Sequence, residues 1–191
     1  MTATAHPPQA MIADYAAGRL SRGMTLAVAA HVSLCRACRD RAARLVTLCG
    51  TLFATCAEPV PPSQQCLAAT LARLDKPSAP KFRGDLPAPL CGCLAASGAL
   101  AWLPSGPGIS RARLDGFPGE EVALVRAEAG ARVPAHRHAG LEATLVLEGG
   151  IRDGDRTYCC GDIVFCDQTV EHSPEVAGRK PCLCLVVDAA A

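Results

Sequence analysis

Residues 130–149 read Gly130-Ala-Arg-Val-Pro-Ala-His136-Arg-His138-Ala-Gly-Leu-Glu142-Ala-Thr-Leu-Val-Leu-Glu-Gly149. Side chains of a strand alternate, so His136 and His138 share one face. Gly130 and Pro134 make the turn that leads into them. Glu142 joins from the next stretch. Gly161 opens a second run that ends on His172, placed on a strand paired across a barrel. Three imidazoles and one carboxylate suit zinc, iron, manganese, nickel or copper.

The surrounding sequence fits a β structure. Short apolar runs at Glu121–Ala127, Ala143–Glu148, Arg156–Cys159, Asp162–Cys166 and Cys182–Val187 are separated by Gly, Pro and Asp turns. Asp153-Gly154 between two runs is a type I′ hairpin signal. Many short strands of this kind predict a closed barrel or jelly roll, which we place at residues 90–191.

Upstream, KPSAPKFRGDLPAP (residues 76–89) has four prolines and no periodicity, and reads as a linker. Residues 1–75 have helical spacing instead. Ile12, Tyr15, Ala16 and Leu20 share one face, and Gly18 ends that helix. Val28, Val32 and Cys35 lie on one side of a second helix, from about Met24 to Cys35. Ala42, Leu45, Val46, Cys49, Leu52, Phe53 and Cys56 mark a third. Leu67, Thr70, Leu71 and Leu74 mark a short fourth, with Ser63 as candidate N-cap. The expected fold is therefore two domains: a small all-α bundle, then an all-β barrel.

The helical half carries a second constellation, His31-Val-Ser-Leu-Cys35-Arg-Ala-Cys38. Residues four and three apart on a helix lie side by side, so all three can reach one ion. Thiolate and imidazole are the ligands zinc prefers, and a structural site takes four. His6 is the only other histidine in this half and is the natural fourth. All five histidines of the chain then fall in the two sites. A bundle of this size has a thin core, which a structural metal remedies. Two buried cysteines beside a chance histidine, or a redox CxxC, are the rival readings. The redox motif lacks its Gly/Pro and its preceding strand.

Bulk properties narrow the function. A net charge of +1 argues against a nucleic-acid binder. The apolar stretch Cys91–Leu103 is too short for a membrane span, and the first residues lack the pattern of a signal peptide. A cytoplasmic location follows, and there the twelve cysteines serve as ligands, switches or small buried side chains rather than disulfides.

The two constellations carry a family resemblance. Residues 130–149, with Gly161 and His172, resemble the two signature motifs of the cupin superfamily. Asp167, Thr169 and Val176 stand where that family has Pro, Gly and Asn. The helical half resembles the zinc-binding anti-sigma domain, with its upstream His and H-x3-C-x2-C. Together, in this order, they resemble the ChrR-type zinc-binding anti-sigma factors. Tyr15-Ala-Ala-Gly18, Val133-Pro-Ala-His136-Arg-His138, Leu145-Val-Leu-Glu-Gly149 and Cys182-Leu-Cys184-Leu185 fit that family. The resemblance implies a helical domain, held by structural zinc on His6, His31, Cys35 and Cys38, that occludes an extracytoplasmic-function sigma factor. It also implies a cupin domain that releases sigma under singlet-oxygen or organic-peroxide stress. Its site at His136, His138, Glu142 and His172 is expected to take a divalent metal, zinc first. The protein is then a regulator and not an enzyme. The alternative is a cupin dioxygenase or isomerase with an N-terminal zinc domain for assembly, since the same ligands serve both.

Overall fold

The computed structural model describes residues 3–56, 58, 60–74, 86–97 and 99–189. Four helices come first: α1 (Gln9–Ala16), α2 (Arg22–Leu34), α3 (Arg36–Cys56) and α4 (Gln64–Leu74). They correspond to the four expected from spacing. Just beyond α1, Gly18 takes a φ of +68°, a left-handed turn that glycine adopts without strain. The Ser63 hydroxyl accepts the Cys66 N–H at 3.1 Å and caps α4.

The helices differ in what they bury. α1 and α2 bury Ile12, Leu26, Ala27 and Val28 fully or nearly so. α3 buries only Cys38 and Ala42 near its start. Farther along, Val46, Leu48, Leu52 and Phe53 face solvent, Phe53 with 74% of its surface exposed. The described side chains of α4 are all exposed, Leu67 and Leu71 among them. The apolar periodicity of α3 and α4 is real, but among the described residues no element buries it beyond Leu45 of α3.

Residues 76–85 of the expected linker lie outside the described residues. Its end does not stay irregular, because a further helix, α5 (Ala88–Ser97), begins there. Pro89 sits in the first turn, where a missing N–H interrupts no helical hydrogen bond. Leu90 and Leu94, four apart, are the buried face. The second half is thus a β domain with a helical lead-in.

Nine strands follow: β1 (Trp102–Gly106), β2 (Ile109–Leu114), β3 (Glu120–Ala127), β4 (Leu141–Glu148), β5 (Gly150–Asp153), β6 (Arg156–Cys159), β7 (Ile163–Cys166), β8 (Glu175–Val176) and β9 (Cys182–Ala189). All pairings are antiparallel. One sheet has the order β1-β2-β3-β9-β4-β7 and the other β6-β5-β8. The expected hairpin is present, with Asp153 paired to Arg156, but its central pair is Gly154-Asp155 and not Asp153-Gly154. The turn is not type I′: Gly154 has φ +55°, whereas Asp155 lacks the positive φ that type I′ needs at both central residues. Gly149 turns the chain from the first sheet into the second. Its φ is +71°, and a Cβ there would lie 2.5 Å from the Pro181 carbonyl oxygen.

Both faces of the six-stranded sheet are covered, which explains the nearly unbroken apolar runs of β4 and β9. One face (Leu114, Val122, Leu145, Leu185, Val187) packs on Met24, Leu26, Ala27 and Ala30 of α2 and on Leu90 and Leu94 of α5. The other face (Val146, Cys182, Cys184, Val186) meets Val176 of the second sheet. The helical half and the β half therefore share a core through α2. Gly23 permits this approach, since a Cβ there would meet Val187, Glu120 and Val122 side chains at 2.8–2.9 Å. At the same end of α2, Glu120 accepts hydrogen bonds from the Gly23 N–H at 2.7 Å and from the Ser21 hydroxyl. A carboxylate there also offsets the positive end of the helix dipole.

Candidate metal centres

His6, His31, Cys35 and Cys38 come together at the corner between α2 and α3. One ligand atom from each lies within 4.8 Å of the others. His31 is in the last turn of α2, Cys35 occupies the break after it with extended backbone, and Cys38 is in the first turn of α3. His6 arrives on the N-terminal arm, its Nδ1 3.5 Å from each sulfur. His31, Cys35 and Cys38 are buried, and His6 closes the cluster from the solvent side.

The hydrogen bonding fits a cation here. His31 Nδ1 lies 2.8 Å from the Gly161 carbonyl oxygen, an acceptor only, so Nδ1 carries the proton. Nε2 is then a bare lone pair, and it is buried without a partner. A buried acceptor without a hydrogen-bond partner, facing two thiols, suits the coordination of a cation. Burial lowers the His31 pKa and so keeps the ring neutral, as a ligand must be. Burial first, and Cys35 beside it second, push the Cys38 thiol up to about 11. A bound metal displaces that proton.

The second cluster lies at the mouth of a cavity of about 150 Å³ between the two sheets. His172 Nε2 is 2.9 Å from His138 Nε2 and 3.1 Å from His136 Nε2. His136 and His138 do not sit in a regular strand. Their placement comes from a two-residue bridge in which His136 and His172 exchange backbone hydrogen bonds at 3.0 and 3.1 Å. Each Nδ1 has its own acceptor or carboxylate neighbour. His136 Nδ1 is 2.9 Å from the Pro134 carbonyl oxygen, and His172 Nδ1 is 2.9 Å from Asp153 Oδ2. His138 Nδ1 lies 3.4 Å from Glu142 Oε2 and 3.6 Å from Asp188 Oδ2. Acceptors at hydrogen-bond distance place the proton on Nδ1 of His136 and of His172, so their bare Nε2 lone pairs converge with the Nε2 of His138. They repel unless a cation lies between them.

Glu142 does not join the three imidazoles as their fourth neighbour. It groups with His138 and Asp188, and its other oxygen accepts a hydrogen bond from Thr144 at 2.8 Å. Asp153, Cys166 and His172 form a further adjoining group. Spacing does not mark Asp153, Asp188 or Cys166, because pairing across the sheets brings them in. Cys182 and Cys184, two apart on β9, both face the cavity with their sulfurs 3.5 Å apart. Their two-residue spacing is what places them on one face.

Among the described residues, no helix is long and apolar enough to cross a membrane. Residues 92–190 match the ChrR cupin-like domain family. The anti-sigma-E factor ChrR of Cereibacter sphaeroides is 40% identical over 192 aligned positions, covering 97% of this chain and 89% of that protein. The crystal structure of Rhodobacter sphaeroides SigE in complex with the anti-sigma ChrR contains a chain that superposes with a TM-score of 0.75. That chain is 34% identical, with 96% of this chain and 98% of that one covered. Helical half, cupin half and both His-containing motifs all fall within these matches, and the chain belongs to the ChrR family of anti-sigma factors.

Proposed function

We propose that this protein binds an extracytoplasmic-function sigma factor through its helical half and keeps it from RNA polymerase. The observation that carries this reading is the uncovered apolar surface of α3 and α4: Leu48, Leu52, Phe53, Leu67 and Leu71 are each at least half exposed. Apolar stripes of this kind in a soluble chain mark a surface made for a partner. The solved relative supports the partner's class, since it was crystallised with SigE. The protein acts in the cytoplasm, where sigma factors are, and contacts no nucleic acid directly.

The metal at His6, His31, Cys35 and Cys38 is zinc with a structural role. The donor set of two sulfurs and two imidazoles supports it. Zinc there cross-links the arm, the end of α2 and the start of α3, and so sets the direction in which α3 projects. The cupin site takes a divalent metal on the Nε2 atoms of His136, His138 and His172, with Glu142 behind His138 on its Nδ1 side rather than in the ligand set. Zinc, having no redox chemistry, makes the cupin a sensor rather than a catalyst. Singlet oxygen or organic peroxide acts on the cupin, which then releases sigma.

The test is co-purification with the cognate sigma factor, with metal content measured. Cys35→Ala and Cys38→Ala are expected to lose zinc and sigma binding together, because structural zinc contributes on the order of 10 kcal/mol to such domains. Sigma binding that survives with the metal gone would rule out the structural role. His136→Ala combined with His138→Ala is expected to inhibit sigma yet fail to release it under peroxide. Oxygen consumption by the iron-loaded protein with a small substrate would instead favour an enzyme.

A further inference from the structure

The cupin does not stand apart from the N-terminal metal cluster. Its β6–β7 turn touches that cluster in three ways. The Gly161 carbonyl holds His31 Nδ1 at 2.8 Å and thereby aims Nε2 at the cysteines. The Asp162 carboxylate accepts the N–H groups of Ala5, at 2.8 Å, and of Thr4, the two residues just before His6. The Ile163 N–H donates to the Ala5 carbonyl at 3.2 Å, so the arm runs against the start of β7. Asp162 is only 2% exposed and also accepts the Cys159 N–H at 2.8 Å, which braces the turn itself.

The other end of β7 reaches the second cluster. Cys166, its last residue, has its sulfur 3.7 Å from His172 Nδ1 and pairs across the sheet with Glu142. From Asp162 to Cys166 is four residues of extended chain, roughly 13 Å at the rise of a strand. One short strand therefore has the N-terminal metal ligands at its start and the cupin metal ligands at its end.

We propose that Asp162, together with the Gly161 carbonyl, is a positioning element for the N-terminal metal. The cupin sets the orientation of His31 and the seat of His6, and β7 is the physical link between the two metal sites. This rests on the reading that His6, His31, Cys35 and Cys38 hold a metal. Groups that orient a ligand from behind typically change metal affinity 10–100-fold when removed.

The test uses the full chain loaded with Co²⁺, whose thiolate charge-transfer band reports the cysteine-containing site and not the imidazole triad. Release into excess EDTA is followed through that band for the wild type, Asp162→Asn, Asp162→Ala and Glu120→Gln. Glu120→Gln loosens the same domain contact at the opposite end of α2, away from the metal. Asp162→Ala is expected to release cobalt on the order of tenfold faster or more, Asp162→Asn by less, and Glu120→Gln at the wild-type rate. Should Asp162→Ala fail to fold, Thr4→Pro removes one of the same hydrogen bonds from the arm side and is expected to speed release. Equal rates in the wild type and the Asp162 and Thr4 variants would overturn the proposal. So would equal acceleration by Glu120→Gln, which would mean that any loosening of the interface suffices. A wild-type chain that shows no thiolate band at all would remove the metal site itself, and the positioning role with it.

Discussion

Asp153 holds one of the cupin imidazoles without being a ligand. Its carboxylate, 2.9 Å from His172 Nδ1, fixes the tautomer that turns Nε2 toward His136 and His138. Asp153→Asn exchanges that acceptor for an amide that can equally donate. We expect cupin metal affinity to fall 10–100-fold, measured by competition with a chromophoric chelator, with the thiolate site unaffected. Unchanged affinity would show that Asp153 is only a hairpin residue. Candidate ligands and the groups behind them differ in how legible they are in the sequence. All five histidines and the Cys35/Cys38 pair stand out by residue type and spacing. Asp153, Asp162 and Asp188 do not, since an aspartate near a turn is ordinary, and only strand pairing reveals what each one faces.

At the scale of elements, periodicity tells which face of a helix is apolar but not what lies opposite. α2 and α3 illustrate the two outcomes. α2 is short and its apolar side is sealed on the sheet, with Gly23 giving the closest approach. Gly23→Ala sets a helix-propensity gain of about 1 kcal/mol against a clash with Val187 and Val122, and overpacking of this kind costs about 1–3 kcal/mol. The clash should win, because two of the three opposing side chains are buried in the shared core. The expected result is a melting temperature lowered by a few degrees; a rise would mean that α2 can shift freely on the sheet. α3 carries an equally regular stripe, yet from Val46 onward it faces solvent. Phe53→Asp should therefore leave stability within about 0.5 kcal/mol. If Phe53 is a central contact for sigma, the same change weakens binding by about 2 kcal/mol or more, roughly thirtyfold. Titration of labelled sigma factor checks this, and full affinity would move the interface elsewhere. The strands were readable where turns bounded apolar runs. α5 was not, because a short apolar segment entered by prolines fits a buried strand as well as a helix.

For the molecule as a whole, composition divides the chain at a Pro-rich segment, and that division suggests two separable domains. Packing argues for a different unit. Met24, Leu26, Ala27 and Ala30 of α2 lie in one core with Leu145, Leu185 and Val187 of the sheet. Glu120 holds the start of α2, and Asp162 and Gly161 hold the arm and His31 near its end. Burying four such side chains stabilises the contact by several kcal/mol at about 25 cal/mol per Å² of apolar surface. The linker's covalent continuity is then not what keeps the halves together. A protease site introduced within residues 76–85, cut after folding, should leave two fragments that co-elute in size-exclusion chromatography. The nicked protein should still bind sigma, and emptying its cupin site should still change the rate at which the N-terminal metal is lost, because the path through β7 is intact. If the fragments separate on cutting, the shared core is too weak to couple the halves. If they stay together but the cupin no longer influences the N-terminal metal, the signal travels through the linker after all.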